Sequence, residues 1–356
     1  MVDALASLVA EESPSGHVGG CVPAIEAIFS SVAGITLERV EVDGMTHLRW
    51  SGAGPCRALL IGHYDTVWPL GTLARWPFSI DGDTATGPGA FDMKAGIVQM
   101  AEALATLDSH DGLSILLTGD EELGSQTSRT LIQEMATGAS AALVLEPSAD
   151  GALKTARKGT GMYTLRVAGK AAHAGLEPEK GCNALLGLAE VVLAAGGLGD
   201  LATGTTVTPT MAMAGTATNV VPASASAELD VRVWLPEEAE RVDADVRALT
   251  TAVPGTTLTI EGGPNRPPLP PSASQALFAR AQTTAARLGL PPLRGVEVGG
   301  GSDGNFTAAV GTPTLDGLGA LGAGAHAEGE HVVLSAMADR AALVAELVCD
   351  LLGSGG

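Results

Sequence analysis

His63, Glu122 and Glu146 each follow a short apolar run, and that placement decides what they can do. Ala58-Leu59-Leu60-Ile61 leads into Gly62-His63-Tyr64-Asp65-Thr66-Val67. Leu113-Ser114-Ile115-Leu116-Leu117 leads into Gly119-Asp120-Glu121-Glu122, and Ala141-Ala142-Leu143-Val144-Leu145 into Glu146-Pro147-Ser148. Such runs, bounded by Gly or Pro, read as buried parallel strands. Open α/β sheets bind ligands beyond the carboxyl ends of their strands. Imidazole and carboxylates converging there suit a divalent metal, with zinc the first choice. His63 and Asp65 project to one side of a strand end, so Asp65 can orient the imidazole while His63 binds metal. In Glu121-Glu122, one carboxylate can bind metal while its neighbour serves as general base. An acidic surface loop is the alternative, and the apolar run before the pair counts against it.

Two further groups complete this constellation. Asp92 sits in Gly87-Pro88-Gly89-Ala90-Phe91-Asp92-Met93-Lys94-Ala95-Gly96, just before a helical stretch. It could cap that helix or bridge two metals about 3.5–4 Å apart. His326 lies in Gly322-Ala323-Gly324-Ala325-His326-Ala327-Glu328, shortly after a strand, and is preferred to His331. His17, His47 and His110 have no comparable setting. Gly317-Leu318-Gly319-Ala320-Leu321-Gly322-Ala323 matches a dinucleotide fingerprint, but that motif must open a helix, and a polar loop intervenes before Ser335.

The elements that must hold these groups can be read coarsely. A first helix, a Ser13-Pro14-Ser15-Gly16 turn and a second helix occupy residues 1–30. Residues 57–155 alternate apolar strands with helical stretches at 93–107 and 128–136, which argues for βαβ units and a parallel sheet. The pattern changes near Arg157. Strand 162–167, helix 183–195, strands 205–214 and 225–234, helix 236–252 and strand 256–261 have the β-α-β-β-α-β order of a ferredoxin-like layer. The expected fold is therefore α/β, with a catalytic domain of residues 1–156 and 265–356 and an inserted α+β domain of residues 157–264. Gly263–Pro271 reads as a stiff return linker. A helix at 274–288, with Ser272 or Ser274 as its N-cap, a strand at 313–316 and a helix at 335–352 complete the chain. No disordered tail is expected before Gly353–Gly356.

The net charge of −20 would repel a phosphate backbone, so nucleic acid is excluded as a partner. Cys21, Cys56, Cys182 and Cys349 form no Cys-x-x-Cys pair and read as buried thiols in a reducing compartment, which places the protein in the cytoplasm. No apolar run reaches the ~18 residues of a membrane span, and residues 1–12 carry acids where a signal peptide would be basic.

Taken together, these motifs resemble the M20 zinc exopeptidases, and within them the glutamate carboxypeptidases of the carboxypeptidase G2 type. The resemblance runs from Ser13-Pro14-Ser15 to the His326 loop. It implies a zinc-binding catalytic domain with an inserted ferredoxin-like dimerisation (lid) domain. It implies that His63, Asp92 and Glu146 hold one zinc, and Asp92, Glu122 and His326 the other. Glu121 would then be the general base for a water between the metals, Asp65 would support His63, and the peptide after Asp92 would be cis. His173, in Ala172-His173-Ala174-Gly175, matches a histidine that reaches the partner subunit's active site and stabilises the oxyanion. Asn219, Arg232 and Arg266 match residues that contact the substrate and its carboxylate, and Gly300 belongs to a matching glycine-rich loop in Gly299-Gly300-Gly301-Ser302-Asp303.

The expected protein is thus a homodimeric, dinuclear zinc hydrolase. It would release a C-terminal amino acid, glutamate first, from a small peptide or N-acyl-amino-acid. Cobalt or manganese could replace zinc in this donor set. N-acyl-amino-acid deacylases, acetylornithine-type deacetylases and dipeptidases share the scaffold. A non-catalytic relative that binds peptides or metal is the reading from another class.

Overall fold

The computed structural model describes residues 1–353. The last three residues of the expected tail lie outside it. The chain forms two compact units. One comprises Met1–Ala156, Leu269–Val298 and Ser302 onward; the other comprises Arg157–Pro268 with Gly299–Gly301.

The first unit is built on a six-stranded sheet. Its order is Glu38–Val42, Met45–Ser51, Leu113–Thr118, Ala58–His63, Ala142–Val144, Thr314–Leu315. The last four strands run parallel. Ala58–His63 and Leu113–Thr118 are buried at every residue, which is why they read as unbroken apolar runs. Their side chains alternate between two cores. Leu60, Ile115 and Leu117 join the helices Ala95–Ala105 and Ser335–Leu352 on one face. Leu59, Ile61 and Leu116 meet Ile132 and Phe306 on the other.

The first two strands form an antiparallel hairpin that the sequence reading does not contain. Asp43 and Gly44 both take positive φ, 50° and 80°, between Val42 and its partner Met45. An Asp-Gly pair in that conformation is the favoured two-residue hairpin turn.

The second unit is a four-stranded antiparallel sheet ordered Thr206–Ala214, Ser224–Val233, Gly159–Ala168, Thr257–Arg266. The helices Ala184–Gly196 and Pro236–Arg247 close its core through Leu188, Val191, Val242 and Val246. Along the chain these elements run β-α-β-β-α-β, as expected. Two expectations need correction. Gly263–Arg266 is not linker but the end of the last strand, with Pro264 opposite Gly161 and Arg266 opposite Thr160 across a register shift. An edge strand tolerates proline at such an irregularity because no second neighbour needs its N–H. Residues 265–268 and 299–301 accordingly group with this unit. The following helix spans Pro271–Arg287, with Pro270 at its N-cap position, so neither Ser272 nor Ser274 caps it.

Gly317–Ala323 opens no helix. Gly322–Ala323 pairs with His331–Val333. A Cβ on Gly319 would strike the carbonyl of Leu145, and one on Gly322 that of His331. Close backbone approach explains these glycines. Among the described residues, no helix is long and apolar enough to cross a membrane.

Candidate metal centre

His63 is the last residue of its strand, level with Thr118 of the neighbouring one. Glu121 and Glu122 begin a short helical turn, Glu121–Leu123, three residues beyond the end of that neighbour. Glu146 follows the strand Ala142–Val144. The parallel sheet therefore delivers three of its strand ends to one place. Asp92 arrives from the irregular turn Ala90–Lys94, where the Asp92–Met93 peptide is cis. His326 arrives from a loop in which it takes φ 63°, a conformation uncommon outside glycine.

The side chains meet in a connected array. His63 Nε2 lies 3.3 Å from Asp92 Oδ1 and 3.4 Å from Glu146 Oε1. His326 Nε2 lies 3.3 Å from both Asp92 Oδ2 and Glu122 Oε1. Asp92 thus presents one oxygen to each imidazole. The donor atoms of His63, Asp92 and Glu122 fall within 4.8 Å of one another, as do those of His63, Glu121 and Glu146. Lys154 Nζ stands 3.5 Å from Glu146 Oε2.

Asp65 has more to do than orient an imidazole. Its carbonyl is the nearer partner of His63 Nδ1, at 3.0 Å against 3.4 Å for the carboxylate. The carboxylate accepts the backbone N–H groups of Glu121 and Glu122, each at 3.1 Å, and the Ser15 hydroxyl at 2.6 Å. One side chain therefore ties the Ser13-Pro14-Ser15 segment and the Glu121-Glu122 turn to the strand end that carries His63.

These residues fit a pair of divalent cations. Asp92 Oδ1 and Glu122 Oε1 are buried and make no well-formed hydrogen bond, only the 3.3 Å ion pairs with His63 and His326. Imidazole nitrogens and carboxylate oxygens are the donors zinc takes.

The electrostatics say how the site behaves before metal arrives. Burial opposes a charge on His63, but Asp65, Asp92 and Glu146 outweigh it and raise its pKa well above the ordinary value. Asp92 and Glu122 raise that of His326 to about 10. Burial likewise opposes ionised Asp92, yet His326 and His63 hold it well below the carboxylate range. Burial pushes Glu122 up despite His326. His326 is thereby held protonated at neutral pH, and the neighbours of His63 favour its protonated form as well. Their pairing stabilises the fold fully below the unfolded imidazole pKa and is lost as pH rises through the folded value, about 10 for His326. Bound metal must displace those protons. Loading is therefore expected to release protons and to tighten as pH rises from 6 to 8. Calorimetric titration in buffers of different ionisation enthalpy measures this; metal uptake without proton release would contradict the protonated state.

The sequence reading missed Glu330. It is fully buried, and its carboxylate gathers the turn that carries Asp92. Oε1 accepts from Phe91 N at 2.8 Å and Asp92 N at 2.9 Å; Oε2 accepts from Trp68 Nε1 at 3.0 Å and Gly89 N at 3.3 Å. The spacing His326-x-x-x-Glu330, on the loop that also supplies His326, was the available signal. Asp303, which ends the loop of residues 299–303, makes no capping bond to the helix after it. Its carboxylate accepts from Thr118 Oγ1 at 2.7 Å and Ser125 Oγ at 2.5 Å in the interior of the first unit.

The other candidates belong to the second unit. His173 is exposed, and its Nδ1 accepts from Gly175 N at 3.1 Å and Leu176 N at 3.2 Å. The neutral ring then carries its proton on Nε2, as a donor facing away from the loop. Asn219 lies beside it, its carbonyl accepting from Ala174 N at 2.9 Å. The Arg232 guanidinium is forked onto Asp230 at 2.8 and 2.7 Å. Arg266 is buried at the end of its strand. Gly300 is exposed, and its carbonyl accepts from Arg157 at 3.1 Å.

Comparison with known proteins bears on this geometry. The model of peptidase family M20/M25/M40 matches residues 59–350. The chain is 32% identical to carboxypeptidase G2 of Pseudomonas sp. (strain RS-16), over 100% of this chain and 90% of that protein. It is 33% identical to a succinyl-diaminopimelate desuccinylase of Cereibacter sphaeroides, over 85% of this chain and 87% of that one. Among solved structures, the M20 family metallo-carboxypeptidase Sso-CP2 from Sulfolobus solfataricus superposes with a TM-score of 0.79 at 16% identity, covering 98% of both chains. Aminopeptidase PepT from Bacillus cereus gives 0.77 at 23% identity, covering 99% of this chain and 98% of the other. At those identities the structural likeness speaks to the fold alone.

Proposed function

The chain belongs to peptidase family M20/M25/M40 and is a metallohydrolase, and from that premise we propose that it is an exopeptidase cleaving the amide bond to a C-terminal amino acid, glutamate first, at a pair of zinc ions. The observation that carries this reading is Asp92, whose two oxygens face two separate His–Glu pairs with Glu121 beside them.

His63, Glu146 and Asp92 would hold one ion; Glu122, His326 and Asp92 would hold the other. Bound there, the metals supply the Lewis acidity that polarises a carbonyl and acidifies water. Glu121 takes the proton of the attacking water and returns it to the leaving amine. Its position is set by the backbone bond to Asp65. His173, through Nε2–H, donates to the carbonyl oxygen as charge develops on it. Asn219, Arg232 and Arg266 hold the free carboxylate, for which a guanidinium fork is suited, beside the Gly300 loop.

We assign His173 to a second copy of the chain, with the unit around Arg157–Pro268 as the dimerisation domain. Thr206–Ala214 is an edge strand of that unit with Met211 and Met213 exposed, and the helix Ala184–Gly196 exposes Leu186 and Leu193. An open strand edge with apolar neighbours is a natural place for a second copy. A reducing compartment suits the four unpaired cysteines.

Release of a C-terminal amino acid is favoured by a relative that aligns along the whole chain, carboxypeptidase G2, and glutamate is the residue that the motif resemblance implies. The desuccinylases favour a second reading, hydrolysis of an N-acyl group from an amino acid. Zinc-loaded protein is expected to release glutamate from folate or another N-acyl-glutamate with kcat/KM at least about tenfold above that for N-acetyl and N-succinyl amino acids lacking a glutamate end. The reverse order would move the assignment to a deacylase.

A further inference from the structure

The strand Leu113–Thr118, which leads into the Glu121-Glu122 turn, has Ala58–His63 on one side and Met45–Ser51 on the other. Each flank sends a side chain to the turn. Beyond the end of Ala58–His63, Asp65 accepts from Glu121 N and Glu122 N. From Met45–Ser51 comes His47, fully buried, whose Nδ1 accepts from Gly119 N at 3.2 Å. Buried backbone N–H groups need such partners, and here side chains from two strands supply them.

An accepting Nδ1 puts the proton of the neutral ring on Nε2, which donates to Thr127 Oγ1 at 3.0 Å. Thr127 Oγ1 in turn donates to Asp120 Oδ2 at 2.8 Å. The ring therefore reaches both residues before Glu121, Gly119 directly and Asp120 through Thr127. Burial lowers the imidazole pKa, against Asp120, Asp303, Asp65 and Glu41, so the accepting form holds at neutral pH. The approach is close. A Cβ on Gly119 would stand 2.7 Å from the carbonyl of Thr46, the residue before His47, and glycine removes that clash. We propose that His47 is a positioning residue for the general base: its two hydrogen bonds fix the chain entering the Glu121-Glu122 turn, and so the place from which Glu121 takes its proton. This rests on Glu121 acting as that base.

The test compares H47N with H47Q in the zinc-saturated full chain. Asparagine Oδ1 stands where Nδ1 was and can accept from Gly119 N; glutamine Nε2 stands where Nε2 was and keeps only the bond to Thr127. On the best of the N-acyl-glutamate, N-acetyl and N-succinyl substrates, H47Q is expected to lose up to about 100-fold in kcat, the scale of a ~1 Å misplacement, with KM little changed. H47N should recover most of that loss. In an E121Q background the H47Q loss should vanish, because no base remains to be misplaced. E121Q that keeps the parent kcat would by itself sink the base assignment, whatever the His47 variants do. Nitrogen-15 NMR of the histidine rings gives a check independent of turnover: the signals that H47Q removes should belong to a neutral ring protonated on Nε2. The proposal is overturned if H47Q keeps the parent kcat where E121Q has lost it, if H47N and H47Q lose equally, or if His47 carries a proton on Nδ1.

Discussion

Replacing Glu121 with glutamine is expected to lower kcat by about 10²–10⁴-fold, the range a positioned general base contributes, with the metals still bound. Glutamine keeps the shape and can be held by the same backbone bond from residue 121 to Asp65, but it cannot take a proton. The buried acidic cluster loses one negative charge, so the variant should melt no lower than the parent. Because Glu121 lies within 4.8 Å of His63 and Glu146, activity alone cannot distinguish base from ligand. Metal content does. An inactive variant with its full complement of zinc identifies Glu121 as the proton carrier; one that has lost an ion makes it a ligand.

The second large effect is at Asp92. Asp92→Asn should reduce kcat/KM by well over the ~10–100-fold that supporting groups around a metal contribute, and it should weaken both ions together. The reason is positional. One oxygen of Asp92 faces His63 and the other faces His326, each at 3.3 Å, so both halves of the centre lose the same charge. Glu122→Gln should instead weaken only the ion shared with His326. Zinc content after dialysis against a weak chelator separates the two patterns. An Asp92→Asn protein that keeps one tight ion would show that the carboxylate is not shared.

Much of this arrangement can be read from the residues. His63, Glu122 and Glu146 were legible because parallel strands buried on both faces leave unbroken apolar runs, and a residue just after such a run sits at the sheet's carboxyl end. Asp92 alone was ambiguous between cap and bridge, and only in the fold does it meet two imidazoles from distant segments. The features that escaped were long-range or turn-specific. The carboxylate of Asp65 bonds backbone donors 56 and 57 residues away, and Glu330 holds a turn some 240 residues earlier; no local pattern encodes these partners, although the spacing from His326 draws attention to Glu330 itself. The Asp43-Gly44 hairpin was encoded, yet its polar strand Glu38–Val42 carries little apolar signal. Pro264 made a strand end look like linker because proline forbids a central strand but not an edge.

The most direct test of a shared Asp92 is anomalous diffraction from zinc-loaded crystals at the zinc edge. Two peaks are expected in each chain, about 3.5–4 Å apart, with one Asp92 oxygen on each, His63 and Glu146 on one ion, and Glu122 and His326 on the other. A single peak, or two peaks of which only one touches Asp92, would contradict a dinuclear centre bridged by this carboxylate.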